Sequence, residues 1–345
     1  MRKRKRNRVL EEKNKFYIEN LKYVVLIGQS KSFSEIIKVN NSINLKTLII
    51  TSSDQSKLID KKIDYKIFDK LEKSFEDYIK KNVKINNTIF ISLSARNIFT
   101  KKTIKRKFFN HLVNFHGTRL PYDAGGGGFS WNIMREDRIN NQLVHLIDGG
   151  IDSGPIIDNY LSLFPKQCQI PIDYENFQQK KFIEFYEKFI KNIKNGHFYK
   201  LKPQINYLGN YNPRLNTEKD GLIDWSMNSY DLINFINAFD EPYKGASTYL
   251  NNHNFGKLYL KQVQLHGGDR SNHPFMSGIV CRHDKNWIVV STTSKHMLLI
   301  EKVLNKKGLN VIQSIKVGDR FYTPLDEFKK SKEKRVKYDA TGLKK

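Results

Sequence analysis

Tyr23-Val24-Val25-Leu26-Ile27 is an unbroken apolar run ending in Gly28-Gln29-Ser30, and over 32–40 the apolar residues Phe33, Ile36 and Ile37 recur at helical spacing. A buried strand, a turn and a helix are predicted. Residues 45–51 repeat the strand signal, 71–80 the helical one, and 88–93 form a further strand of continuous apolar character. Strands of this kind alternating with helices imply a parallel sheet covered on both faces. Ligands of such open sheets bind beyond the carboxyl ends of the strands, which directs attention to the segments after Leu93 and Val113. Gly28-Gln29-Ser30 lacks the full glycine fingerprint of dinucleotide sites, and no dinucleotide is inferred from it.

Downstream, 112–115 starts a short strand that enters a glycine-rich loop, and 142–147 is another, closing in Asp148-Gly149-Gly150-Ile151-Asp152-Ser153-Gly154-Pro155. Residues 173–193 read as a long amphipathic helix through Phe182, Phe185, Tyr186, Phe189 and Ile190 that closes the first domain. The polar stretch 207–219, with Pro213, reads as a linker. Beyond it a helix over 230–239 and short strands over 258–263, 278–281, 287–291 and 296–303 suggest a small antiparallel, OB-like β-barrel. The expected organisation is a basic tail over 1–20, an α/β domain with a mostly parallel sheet over 21–205, a barrel-like domain over 206–310 and a basic tail over 311–345.

Composition bounds the class. The 345 residues, 39% of them apolar, suffice for more than one average domain. A net charge of +25 makes attraction to nucleic acid, anionic lipid or phosphorylated substrates physically reasonable. The excess is spread along the chain as Lys mixed with Asn and Ile, which a biased composition gives without any polyanion partner. Cys168 and Cys281 lie far apart and outside any CxxC pair, so neither a disulfide framework nor a zinc site is indicated, and a reducing, cytoplasmic location is expected. Apolar runs are of strand length, well short of the roughly 18–20 residues that cross a bilayer. The opening Met1-Arg2-Lys3-Arg4-Lys5-Arg6 leads into Glu11-Glu12 rather than an apolar core, and so reads as a solvated tail and not a secretory signal.

The chemistry is concentrated in Asn114-Phe115-His116-Gly117-Thr118-Arg119-Leu120-Pro121 and in the later His145 to Pro155 stretch. Alternate residues of an extended segment point the same way, so Asn114 and His116 project together, and the tight loop around Asp152 can bring a carboxylate alongside. Acyl transfer to an amine needs an oxyanion stabiliser, a proton relay and a group that orients the relay. An amide, an imidazole and a carboxylate supply these three, with no enzyme nucleophile and no metal. For His145 two placements stay open, facing the site or packed in the core. For Gly125 to Gly128 two roles stay open, a backbone cradle for phosphate or a plain turn.

These motifs resemble the formyltransferases that use 10-formyltetrahydrofolate, a family that includes glycinamide ribonucleotide, methionyl-tRNA and nucleotide-sugar formyltransferases. The order Asn-x-His, Leu-Pro with Gly, then Asp-Ser-Gly-Pro matches the family's, as does the spacing from His116 to Asp152. The resemblance implies that Asn114, His116 and Asp152 are catalytic. It also implies that the pterin is held by the loops carrying Ala95, Arg96, Ile98 and Leu120 and by Asp148, Gly149, Gly150 and Ile151. Asp220-Gly221-Leu222-Ile223-Asp224-Trp225 and the stretch from Ala238 to Ala246 resemble the start of the family's carboxyl-terminal barrel, so the likeness covers roughly 21–305. It implies a Rossmann-like formyltransferase domain followed by that barrel, with 10-formyltetrahydrofolate as cosubstrate.

Four departures stand out: Gly117 where the family commonly has Pro, Arg119 where a Leu is usual, the run of four glycines, and Asn237 where an Arg often precedes the Ala. Glycinamide ribonucleotide formyltransferases usually lack the second domain, and the segment 51–63 is too short and too poor in Arg for the basic loop that reaches tRNA. The expected acceptor is therefore an amino sugar, nucleotide-linked, with methionyl-tRNA as the alternative and a non-catalytic polyanion binder as the third reading. A homodimer is compatible with this reading; a membrane partner is not expected.

Overall fold

The computed structural model describes residues 14–333 apart from 97, 98, 100, 102, 105–107, 109, 110, 151, 206, 208 and 269, and the backbone of 338, 339, 342 and 343. Seven strands form the central sheet: β1 (Tyr23–Gly28), β2 (Lys46–Thr51), β3 (Lys66–Ile67), β4 (Thr88–Leu93), β5 (Leu112–His116), β6 (Ile139–Leu146) and β7 (Ile156–Leu163), in the spatial order β3-β2-β1-β4-β5-β6-β7. The first five are parallel, and β6 and β7 continue the sheet antiparallel. Val24, Val25, Leu26 and Ile89 to Ile91 are buried on both faces, as the unbroken apolar runs require.

Helices α1 (Phe33–Ser42) and α4 (Pro171–Lys194) cover one face and α2 (Lys73–Asn82) the other, while α3 (Gly128–Met134) and α5 (Ser229–Ala238) lie between the two domains. The start of α4 at Pro171 follows from chemistry: proline loses nothing at a first helical position, and Asp173 Oδ2 accepts the N–H groups of Gln169 and Ile170 at 3.1 and 3.2 Å. Phe115 of β5 sits among Phe182, Phe185, Tyr186 and Phe189 of α4, with ring centroids 5.5–5.7 Å apart. This aromatic knot fixes the strand that carries the site. The sequence reading did not include β7, because Asp158 and Asn159 interrupt its apolar residues and Leu161 and Leu163 face outward on an edge.

The second domain is a six-stranded antiparallel sheet of β8 (Ala246–Leu250), β9 (Leu258–Gly267), β10 (Val280–His283), β11 (Ile288–Val290), β12 (His296–Leu304) and β13 (Phe321–Tyr322), ordered β10-β11-β12-β9-β8-β13. It curls into a half-barrel whose ends are drawn together where Phe321 N donates to Gly278 O and Val280 N to Asp319 O, both at 2.8 Å. Two expected boundaries change. Phe16 and Ile18 are buried and 15–16 pairs with 199–200, so the packed chain begins before residue 20. Ile312, Ile315 and Phe321 are buried too, and β13 pairs with β8, so the barrel runs on past 310. In both places charged neighbours hide a few anchoring apolar side chains.

The linker lies directly on the glycine run. Asn210–Asn212 forms a parallel ladder with Asp123–Gly125, and Gly126 N donates to Asn212 O at 2.9 Å. A β-carbon on Gly125, whose φ is +105°, would stand 2.1 Å from Asn212 O, and one on Gly126 would stand 2.8 Å from Arg214 Cβ. The glycines are thus the seat of the linker. Ser130 Oγ donating to Ala238 O at 2.7 Å and Trp131 Nε1 donating to Pro213 O at 2.9 Å bind α3 to the second domain as well. Among the described residues no helix is long and apolar enough to cross a membrane, and no His, Cys, Asp and Glu group could hold a metal ion. Gly125→Ala is expected to destabilise the protein by about 1–3 kcal/mol through backbone strain and the clash with the linker, read as a lower midpoint in thermal unfolding.

Candidate active site

The site forms where the parallel sheet meets its first antiparallel strand. Asn114 pairs with Ser92 of β4 on one side and with His145 of β6 on the other, and His116 pairs with Leu143. Cross-strand partners share a face, so Asn114, His116 and His145 form one row. The Asn114 amide nitrogen is 3.2 Å from His145 Nε2, and His145 Nδ1 is 2.8 Å from the Leu146 carbonyl. A carbonyl only accepts, so His145 Nδ1 carries a proton, and its Nε2 accepts from one of the two Asn114 amide hydrogens. The other amide hydrogen is left for a ligand. Of the two placements open for His145, it is both: only 2% exposed, and a member of the site.

Asp152 completes the group. Its Oδ1 lies 3.7 Å from His145 Nε2 and 4.0 Å from His116 Nδ1, and the two imidazole centroids are 6.3 Å apart. Asp152 has φ +51°, a conformation Asp tolerates better than most residues, and Gln204 Nε2 pins its loop by donating to the carbonyls of Asp152 and Gly154 at 2.8 and 2.7 Å. His116 Nε2 is buried and makes no hydrogen bond within the protein. Burial pushes the His116 pKa below its ordinary 6.5, the Asp152 carboxylate opposes that push, and His145 adds to it. For Asp152 burial pulls the carboxyl upward, yet the interactions with His145 and His116 outweigh it and leave the acid below 3.8. The resting arrangement is a neutral His116 beside a charged carboxylate.

The expected pterin contacts divide. Arg96 is committed to Asp54 at 2.9 Å, clamping the loop after β2 to the loop after β4, and Leu120 is buried. Asp148 Oδ1 accepts from Gly150 N at 3.0 Å and Ser153 Oγ at 2.9 Å, so its carboxylate shapes its own loop. The Gly150 N–H is used within its own loop. Ile98 and Ile151 lie outside the described residues.

Gln178 is a residue that sequence reasoning missed, hidden among the aromatics of α4. Its Nε2 donates to Gly117 O at 2.8 Å and Asn140 Oδ1 at 3.2 Å, while Gln142 Nε2 donates to the Gln178 carbonyl at 2.8 Å. A β-carbon on Gly117 would stand 2.4 Å from Gln178 Oε1, so a larger residue there would displace the Gln178 side chain. The consecutive amides Asn140, Asn141 and Gln142, all buried, were the available signal. Two cavities flank this loop, one of about 390 Å³ near Gln29, Lys31 and Glu175, and one of about 210 Å³ near Thr118, Arg119 and Arg135.

An α/β sheet with a half-barrel behind it, bearing an amide, two imidazoles and a carboxylate at its carboxyl edge, defines the class to which the comparisons also point. Residues 216–316 match the family model of the formyl transferase C-terminal domain. The chain is 27% identical over 212 residues to the methionyl-tRNA formyltransferase of Clostridium perfringens, a match over 59% of this chain and 63% of that relative, so the chain spans less than two thirds of its length. The fold is similar to that of WlaRD, a sugar 3N-formyl transferase determined with dTDP and 5-N-formyl-THF, with a TM-score of 0.57 and 20% identity over 84% of this chain and 99% of that one. An N-formyltransferase from Helicobacter canadensis in complex with folinic acid and dTDP-3-aminofucose gives 0.57 and 18%, over 81% and 99%.

Acid sensitivity follows from the His116 shift. Its folded pKa lies below the unfolded 6.5, so the unfolded chain takes up the proton first as pH falls. Stability is therefore lost from about pH 6.5 downward until folded His116 itself is protonated. In an NMR titration the His116 ring signals are expected to move at a pH below 6.5. Asp152→Asn should lower that midpoint further, and His116→Gln should flatten the loss of stability on this limb.

Proposed function

We propose that the chain transfers a formyl group from 10-formyltetrahydrofolate to the amine of a nucleotide-linked amino sugar. The observation that carries the reading is the buried, unpartnered His116 Nε2 at the centre of the Asn114, His145 and Asp152 group. The donor supplies an activated formyl carbon. A neutral amine attacks that carbon directly, and His116, neutral near pH 7, takes the amine proton on Nε2. Oxygen charge developing on the carbonyl is met by the second amide hydrogen of Asn114, held by its bond to His145. Asp152 faces His116 Nδ1 and stabilises the imidazolium formed at that moment. The same proton then passes to N10 of the departing folate as its bond to the formyl carbon breaks, so His116 ends neutral.

In this reading main-chain groups of the loop shaped by Asp148 meet the edge of the pterin. The amino-sugar acceptor is supported by the fold likeness to two sugar N-formyltransferases and by the segment after β2. There Ser52, Ser53, Asp54 and Asp69 bond among themselves instead of presenting a long basic arm. Methionyl-tRNA is the second reading, favoured by the Clostridium perfringens relative and by the charge of +25.

Purified protein with 10-formyltetrahydrofolate is expected to formylate dTDP-linked 3-amino or 4-amino sugars and not charged initiator tRNA or glycinamide ribonucleotide, with products read by mass spectrometry. Turnover of tRNA alone would reverse the choice of acceptor. His116→Ala, Asn114→Ala and Asp152→Asn should each lower kcat about 10²–10⁴-fold, the range for loss of a positioned proton relay or oxyanion donor.

A further inference from the structure

The 210 Å³ cavity continues the reactive row. After the pairs Asn114 with His145 and His116 with Leu143, the next positions on that face are Thr118 and Asn141, joined where Asn141 Nδ2 donates to Thr118 O at 2.9 Å. Two residues along an extended chain advance about 7 Å, so Thr118 follows His116 at roughly that spacing. Its far side is closed by Gly125, Gly126 and Asn212 of the linker ladder. Alternation on that ladder turns Asp123 inward, with a side chain 14% exposed, while Tyr122 stands outside at 45%.

Charge decides what the cavity can take. Arg119 Nε lies 3.4 Å from Asp123 Oδ2 and its NH2 group 3.9 Å from Asp137 Oδ2, and Arg135 NH2 lies 3.2 Å from Asp123 Oδ1. Two guanidinium groups thus face two carboxylates, and a phosphate would find no uncompensated cation. Thr118 Oγ1, by contrast, is buried and makes no hydrogen bond within the protein. Buried polar atoms are nearly always paired, so it marks where a ligand's hydroxyl belongs. Arg119 and the glycine run are also where this chain departs from its family, which makes the pocket a property of this protein and not of the fold.

We infer that this cavity binds the uncharged, hydroxyl-bearing ring of the acceptor, with Thr118 as its specificity residue. The inference rests on the proposed amino-sugar reading. The ring's amine reaches back along the sheet face to His116, and any phosphate it carries lies outside the cavity.

The test is Thr118→Val, which keeps the shape and removes the hydroxyl, assayed with a dTDP-linked amino-deoxyhexose and its ring-deoxy analogues. Loss of one hydrogen bond should reduce kcat/KM for the full sugar about tenfold, and the loss should vanish for the analogue lacking the hydroxyl that meets Thr118. Thermal stability should be unchanged or higher, because the hydroxyl removed has no protein partner, and binding of 5-formyltetrahydrofolate should be unaltered. Equal losses for every analogue, a lower midpoint with weaker folate binding, or no change in kcat/KM would each overturn the inference while wild-type turnover keeps the functional reading intact. Absence of wild-type turnover with any amino sugar would instead overturn the functional reading, and this inference with it.

Discussion

Asn114 on β5 stands opposite His145 on β6, and the antiparallel ladder that makes them partners also sets where Asp152 returns to the sheet. Had β6 run parallel like its predecessors, the chain would leave at the far end and the carboxylate would be carried away from the imidazoles. A slip of one residue would turn Asn114 and His116 toward the aromatic face of α4, since alternate side chains point to opposite sides. The register is held against such a slip by Phe115, which can be buried among the α4 rings in only one phase.

Within that frame the electrostatics are simple. Two imidazoles and one carboxylate share a largely dry recess, and burial disfavours every charge in it. Interactions with the two imidazoles hold the Asp152 carboxyl below its ordinary value against burial, and His116 stays neutral because its single anionic neighbour does not offset desolvation. A base with a free lone pair, held beside an anion that will stabilise its cation, is poised to accept one proton and release it again. His145 contributes by orientation, since its bond to the Leu146 carbonyl settles its tautomer and through it the aim of the Asn114 amide.

The second domain is not a separate appendage. Its linker is laid on the glycine run as an extra strand, α3 is bonded to the end of α5, and Ile133, Phe164 and Tyr174 of the first domain join the half-barrel's core. The same linker closes the small cavity beyond Thr118, so the arrangement of the two domains shapes that cavity.

Local sequence determined most of the elements and the candidate side chains of the site. Unbroken apolar runs of strand length read as strands covered on both faces, and Asn-x-His in an extended segment must share a face, so the α/β class and the common face of Asn114 and His116 could be read directly, while Asp152 was singled out by resemblance. What the tertiary structure alone decided depends on partners distant in the chain. His145 became part of the site through a cross-strand register, Gly117 through the side chain of Gln178, Arg119 through Asp123 and Asp137, and the glycine run through a linker more than eighty residues later. Edge strand β7 and the anchors at both ends of the chain escaped notice for the same reason. Burial is a property of the assembled surface, and short segments with few apolar residues reveal theirs only once packed.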